Sequence, residues 1–508
     1  MEKLKNYSKK IVYYTSLIIL GILSLLCIFY TTNILNFSEH TTITTMSIIM
    51  AIFILIFFLM YLLIINLTKH KIIQNNKKIL IPIILLLYII VNIYWVNSSN
   101  VIPKADANTV HELATYFIEN NQEKLVKNAY LEKCPQQIGM SLFFAFIYKI
   151  FGSTNYQIIQ YLNIVANILT ILALYKILKK IDKENKMNDL IYFILILSFI
   201  PLILLTTYVY GDYIGLALML WSVYLIMNYK ETKKIKNIII SSVLLSLAYI
   251  VKTNYIISLI AIVIYLGLDI LSNNKEIIKK ILLIVVYILI VLLPYTTMKN
   301  IVINKLDLIK TESIPTSGYL YIGMSESDKG EGWYGEAVVP AWDDATKSRE
   351  IYPKLIKTRL KEFIKNPLYC FNFYMRKTIT GWQEPLFQSV WYVVIGKYQE
   401  APWDIIKVSK KYKLLQYFMK TLLLMIYTSS LYYVSKNKKN LDDNTLLLII
   451  IFIGGFLFHT LWEMKARYTL PYVVTIIPIA ALGLNNFLER KQTIKVGNKY
   501  DKKNIKKI

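Results

Sequence analysis

The chain has 508 residues, which in a soluble protein would suggest about three domains, but 56% of them are hydrophobic, 18% are charged and the mean hydropathy is +0.45. A chain this apolar cannot cover a globular surface with polar groups, so a soluble assembly is excluded and lipid is the expected solvent. The 58 Lys and Arg against 32 Asp and Glu, net +26, fit either a nucleic-acid binder or a membrane protein with basic cytoplasmic loops, and the placement of the charges decides between them.

A bilayer core takes ~20 apolar residues per helix. Runs of this kind lie at roughly 11–30, 47–66, 79–96, 156–178, 189–206, 212–228, 237–251, 254–271, 281–297, 418–435, 445–461 and 470–486. The expectation is therefore an all-α polytopic membrane protein with about twelve transmembrane helices. Runs 237–251 and 254–271 meet near Lys252-Thr253-Asn254, as a bent hairpin or one kinked helix. The first run is long and lacks a small-residue cleavage site, so an anchor is expected rather than a cleaved signal.

Twelve spans put both termini on one side. The seven segments on that side, from the N-terminus to the tail 487–508, hold 31 basic residues against 9 acidic ones, which is +22 of the net +26. Loop 31–46 on the opposite face has no Lys or Arg, and 97–155 has five bases against five acids. Positive charge belongs inside, so a multi-pass cell-membrane protein with cytoplasmic termini and outward-facing long loops is expected. Charge spread over seven short loops argues against nucleic acid. The basic tail suits a lipid-headgroup contact or a topology anchor.

Two outward segments break the apolar pattern. In 97–155, Asp106 is placed to cap a helix running from about Thr109 to Glu119. Cys134-Pro135-Gln136-Gln137 then leads into a short apolar helix, Ile138 to Phe151, that ends at Gly152 and is expected to lie at the membrane surface. The second segment, 298–417, holds 18 bases and 13 acids and is expected to be a small mixed extracytoplasmic domain. Within it Lys354 to Lys365 has helical spacing and stops at Asn366-Pro367. The division expected is 1–297 as an N-terminal transmembrane module, 298–417 outside, 418–486 as C-terminal spans and 487–508 as a basic tail. Cys27, Cys134 and Cys370 form no disulfide framework; Cys134 and Cys370 share the outer side, with free thiols as the default.

Ionisable residues at membrane depth are costly, so they are functional candidates. They are Asp106 and Glu112 on the first long loop, Asp212 after Tyr208-Val209-Tyr210-Gly211, Lys252, and the cluster Glu463, Lys465, Arg467 and Tyr468. Only five of the 58 bases are Arg, and topology needs nothing more than positive charge. A planar guanidinium is suited to bidentate phosphate binding, which makes Arg467 a candidate, with an interfacial Glu463–Arg467 pair as the bland alternative. His111 and His459 read as structural, and Asp343-Asp344 as a surface pair. No metal or nucleotide motif is present, so no cofactor is expected.

An outward-facing catalytic surface has no nucleotide sugars, so an activated group must arrive on a lipid. Glycosyl transfer from a polyprenyl-phosphate sugar fits: a carboxylate, Asp106, takes the proton of the acceptor hydroxyl, and cations, Lys465, Arg467 and Lys252, hold the leaving phosphate. The alternatives are a transporter or flippase of polyprenyl-linked glycans, and a non-enzymatic membrane sensor.

The order of these features resembles the GT-C superfamily of membrane glycosyltransferases. The features are an Asp in the first long outer loop, a surface helix ending in Phe151-Gly152, an outer domain, and Glu-x-Lys-x-Arg-Tyr-x-x-Pro from Glu463 to Pro471. The chain is particularly similar to the protein-O-mannosyltransferase-like, glycosyltransferase-family-39-like proteins of low-GC Gram-positive bacteria, over about 79–486. The resemblance implies Asp106 as the catalytic base. It also draws in Pro135-Gln136-Gln137, Gln160, Asn163, Lys252, Asn254, Trp333-Tyr334 and Arg467-Tyr468, an undecaprenyl-phosphate-linked sugar donor, and an extracytoplasmic acceptor among envelope glycopolymers, lipids or proteins. Where the family often has two adjacent acids, Asp106 is followed by Ala107, which leaves open a part for Glu112 or a divalent metal.

Overall fold

The computed structural model describes residues 2–34, 39–127, 129–182, 186–272, 276–308, 314–335, 339–340, 344–396, 410–438 and 441–490. The chain opens with α1 (Glu2–Phe29), the antiparallel hairpin β1 (Tyr30–Ile34) and β2 (Thr41–Thr45), then α2 (Ile48–Leu67), α3 (Lys71–Ser99) and α4 (Asp106–Ile118). Two short helices, α5 (Gln122–Lys127) and α6 (Tyr130–Lys133), precede α7 (Ile138–Phe151). Next come α8 (Gln157–Ile181), α9 (Lys186–Leu197), α10 (Pro201–Leu204), α11 (Asp212–Thr232), α12 (Ile235–Val251), α13 (Ile256–Ser272) and α14 (Ile277–Lys305). Segment 298–417 holds α15 (Thr316–Gly323), the two-residue strands β3 (Glu326–Ser327) and β4 (Gly330–Glu331), α16 (Ala345–Lys365), α17 (Pro367–Trp382) and α18 (Ser389–Gly396). The chain closes with α19 (Lys410–Lys436), α20 (Asp443–Leu461), α21 (Ala466–Thr475) and α22 (Ile477–Arg490).

Each of the twelve apolar runs falls on a helix or a bent helix pair. Among the described residues, seven helices are long and apolar enough to cross a membrane, or up to nine if the bent pairs α9–α10 and α21–α22 each count as one span. The remaining three runs fall on α11, α12 and α19. The expected ambiguity near residue 252 resolves into two helices, α12 and α13, joined by a short turn at Thr253–Tyr255.

The bend between α9 and α11, and the break after α3, free backbone carbonyls inside the protein, and free carbonyls in an apolar interior need donors. One face of α8 supplies them. Gln160 Nε2 donates to Val101 O and Thr207 O (2.9 and 3.0 Å), Asn163 Nδ2 to Thr206 O and Tyr208 O (3.1 and 2.8 Å), and Asn167 Nδ2 to Leu202 O (2.8 Å). The 160, 163, 167 spacing puts the three amides on one stripe of the helix. The stripe holds Tyr208, Tyr210 and Asp212 in place.

Two sequence expectations are corrected. Asp106 is not a helix cap: α4 starts at Asp106, and Ala105 is the residue before it, with φ 50° and no capping bond. The described part of 298–417 is largely helical rather than mixed, with a single two-residue hairpin. The expected stops do form. Gly152 ends α7 at φ 62°, and Asn366 ends α16 while its Oδ1 accepts from Tyr369 N to cap α17. Segment 298–417 packs on the rest of the protein through the β1–β2 hairpin, as in Thr41 N→Lys329 O (3.0 Å) and Thr32 Oγ1→Ile379 O (3.0 Å). Asp344 caps α16 through Lys347 N; Asp343 and the tail 491–508 lie outside the described residues.

Candidate functional site

Three chain breaks meet at one place. Asp212 begins α11, Lys252 ends α12, and Arg467 is the second residue of α21. The first two approach because residue 211 is glycine: a Cβ there would overlap the Val251 carbonyl and its side chain. Arg467 Nη1 meets Asp212 Oδ2 at 2.6 Å, and Lys252 Nζ lies 3.3 Å from Asp212 Oδ1.

Arg467 is 5% exposed. The rings of Tyr208, Tyr210, Tyr392 and Tyr468 surround its guanidinium, with centroids 4.7, 5.1, 4.9 and 5.1 Å away. Its Nε has no hydrogen-bond partner among the described residues. Lys252 lies over the rings of Tyr210 and Tyr468 at 4.6 and 5.3 Å. Such cation–π contacts gain strength when water is excluded.

Lys465 is engaged separately. Its Nζ donates to both oxygens of Glu39 (3.3 and 3.1 Å), which also lies 3.6 Å from Lys329 Nζ and accepts from Gln388 Nε2 (3.1 Å). Gln388 Oε1 in turn accepts from Arg467 N at 3.2 Å, which links the two ion clusters. Burial works against the charge on Glu39, but Lys465 and Lys329 hold its carboxyl below the ordinary value. Burial also opposes the charge on Lys465, and Glu39 raises its pKa on balance. Glu463 is half-buried and makes no side-chain hydrogen bond among the described residues. Burial pushes its carboxyl up, against the pull of Lys465.

Asp106 is exposed at the start of α4, within electrostatic range of Lys252, Glu463, Tyr210 and Tyr468. The preceding Ala105 sits at φ 50°, ψ −137°, a conformation that disfavours an L side chain and is often stored where geometry matters. A groove of about 510 Å³ opens beside the start of α4, lined in part by Lys104, Ala105, Asn108, His111 and Tyr156. His111 Nδ1 is 2.8 Å from Tyr148 OH.

The structure thus gathers Asp106, Asp212, Lys252, Glu463, Lys465, Arg467 and Tyr468 around one region. Gln136 is further out, donating to Tyr319 OH at 2.9 Å. It is the next residue, Gln137, that reaches the cluster, donating to Tyr210 OH at 2.7 Å. Glu112 faces elsewhere: six residues after Asp106 it is roughly 240° round the helix, and it accepts from Asn108 Nδ2. Trp333 is fully buried beside the β3–β4 hairpin. Glu39, Gln388 and the rings of Tyr208, Tyr210 and Tyr392 were not singled out from the sequence. Glu39 had a signal, as the one acid in a loop without bases. The three cysteines are free, and no group of three His, Cys, Asp or Glu among the described residues is arranged to hold a metal.

The segment carrying Glu463 to Arg467 is gripped by α15, α17 and the turn at Gly332. Lys377, 1% exposed, points its Nζ at Gly323 O, Thr460 O and Trp462 O, which lie 2.5, 2.9 and 2.8 Å away. A Cβ on Gly323 would overlap Leu461 O, so only glycine lets α15 approach the end of α20 this closely. Met464 N donates to Gly332 O at 2.8 Å.

No curated protein matches the chain. Among solved structures it is similar to the oligosaccharyltransferase of Archaeoglobus fulgidus complexed with zinc and sulfate (11% identity, TM-score 0.35, 68% of this chain and 40% of that one). It is similar as well to the archaeal oligosaccharyltransferase AglB of the same organism with an inhibitory peptide and a dolichol-phosphate (11% identity, TM-score 0.35, 71% and 43%). The chain spans less than half the length of these neighbours. The family model described as "conserved hypothetical integral membrane protein" matches residues 3–380, well over half of the chain, and the chain belongs to that family.

Proposed function

We propose that the protein is an integral membrane glycosyltransferase that moves a sugar from a polyprenyl-phosphate donor, with undecaprenyl as the expected lipid, to a hydroxyl on an extracytoplasmic acceptor. The observation that carries this reading is an exposed carboxylate, Asp106, in electrostatic range of Lys252, which shares Asp212 with the buried Arg467 among tyrosine rings. Asp106 takes the proton of the acceptor hydroxyl as its oxygen attacks the anomeric carbon. The bond from that carbon to the phosphate oxygen breaks, and the lipid phosphate leaves with the electron pair. Arg467 and Lys252 meet its growing charge, with Lys465 behind them. A single displacement of this kind needs one carboxylate and no covalent intermediate. Tyr468, Asp212 and Glu463 shape the cation pair, and the chemistry calls for no cofactor.

The test is transfer or release of sugar from a radiolabelled undecaprenyl-phosphate sugar by the purified protein in sealed proteoliposomes. Activity in the parent chain and its loss in Asp106→Asn are expected. Equal turnover by the two proteins overturns Asp106 as the base, and movement of the intact lipid-linked sugar across the membrane without sugar release overturns the transferase reading.

A further inference from the structure

The corner between α16 and α17 carries apolar side chains that its own core does not use. One side of the corner is filled: Phe363 and Phe373 are buried with Met324, their ring centroids 5.3 Å apart. Arg359 covers this core, its guanidinium over Phe363, Tyr369 and Phe373 and its Nε donating to Met324 O. Leu360, Ile364, Leu368 and Phe371 are left 47, 77, 69 and 63% exposed. Leu360 and Ile364 are one turn apart on α16, and Leu368 and Phe371 are one turn apart on α17, just past the break at Asn366-Pro367. Lys357, Lys361 and Lys365 are exposed around the first pair, and none is ion-paired among the described residues.

We propose that this corner docks on the adjoining leaflet of the bilayer, with the four apolar side chains at the headgroup boundary and the lysines on the phosphates of anionic lipids. The other end of α17 is tied to the membrane: Lys377 bonds the last carbonyls of α20, and Trp382 packs on Phe452 and Phe456 of that helix (5.7 and 5.4 Å). A 16-residue helix is roughly 24 Å long, so the corner stays within one helix length of the end of α20. The chemistry separates the occupants. An anionic glycan would pair with the lysines but leave Ile364 and Phe371 in water. A second copy would set one lysine row against another. A leaflet satisfies both the apolar and the basic groups, as interfacial helices do.

The test uses the full chain in nanodiscs, with Ile364→Cys carrying an environment-sensitive fluorophore and the labelled parent subtracted as background. Leu368→Cys repeats the measurement on the second helix; both positions are exposed, so folding is retained. Expected are blue-shifted emission and quenching by about half from lipid nitroxides roughly 5–10 Å deep, both strengthened by anionic lipid and lost with Lys357→Glu, Lys361→Glu and Lys365→Glu together. Unquenched emission typical of water at both positions overturns the proposal. So does a probe that responds to an added anionic polysaccharide and not to lipid, or one that responds only to raised protein concentration.

Discussion

Arg467 reaches Asp212 at 2.6 Å across 255 positions of sequence, and the same carboxylate also holds Lys252. One acid therefore holds two cations, the buried Arg467 and the half-buried Lys252, and neutralises only one of their charges. The four tyrosine rings around the guanidinium and the backbone bond from Arg467 to Gln388 fix its orientation. Charge held in place before a ligand arrives needs no reorganisation when it is used.

Asp212→Asn is expected to cost about 3–5 kcal/mol, because it leaves the buried Arg467 and the half-buried Lys252 without their carboxylate. Thermal unfolding in detergent reads this as a lowered Tm. The double variant Asp212→Asn/Arg467→Gln should recover part of the loss. Additive losses in the double-mutant cycle would mean that the pair is not coupled.

Asp106→Asn should behave in the opposite way. The residue is exposed and makes no capping bond, so stability should be unchanged, whereas removing a general base typically lowers turnover about 10²–10⁴-fold. Ala105→Gly relieves the backbone strain in front of it and should stabilise by ~1 kcal/mol while lowering turnover, since Asp106 is then less firmly aimed. Turnover and Tm measured on the same preparations separate the two effects.

The parts of this arrangement that were legible in the sequence are those encoded locally. The apolar runs mark the helices by length. Asn366-Pro367 and Gly152 mark ends because a proline cannot continue a helix and a glycine tolerates positive φ. Arg467 stood out because arginine is rare in a chain that uses lysine for topology. Glu39 and Gln388 did not stand out, since their roles exist only once a hairpin near the N-terminus, the loop after α17 and the start of α21 are folded together. Asp106 reads as a cap because Asp is a good cap in general, and nothing local announces that Ala105 adopts a positive φ. Gln160 and Asn163 look like misplaced polar residues until the broken helix that they satisfy is seen.

Glu39 gives the protein an acid-sensitive contact. Its folded carboxyl lies below the ordinary value of 4.5 because Lys465 and Lys329 outweigh its burial. A depressed carboxyl adds stability that is present above the unfolded value and is lost as pH falls through the folded one. Glu39→Gln should therefore flatten the fall in Tm below about pH 4.5. An unchanged acid limb in that variant would show that other carboxylates set it.

Lys377 gives a slope of the other kind. Burial pulls its ammonium from an ordinary 10.5 down to about 7. Between those values the unfolded chain carries a proton there that the folded one does not, so this group makes stability rise with pH across the window. Lys377→Met removes that contribution. It also leaves Gly323 O, Thr460 O and Trp462 O without their donor, which should cost about 1–3 kcal/mol and loosen the segment bearing Glu463, Lys465 and Arg467. The expected result is a lower Tm at pH 7, a flatter Tm profile from about pH 7 to 10.5, and turnover reduced mainly through weaker donor binding. A variant that keeps the parent's slope would show that Lys377 is not its source. Unchanged donor affinity would show that the grip on α20 does not position the site.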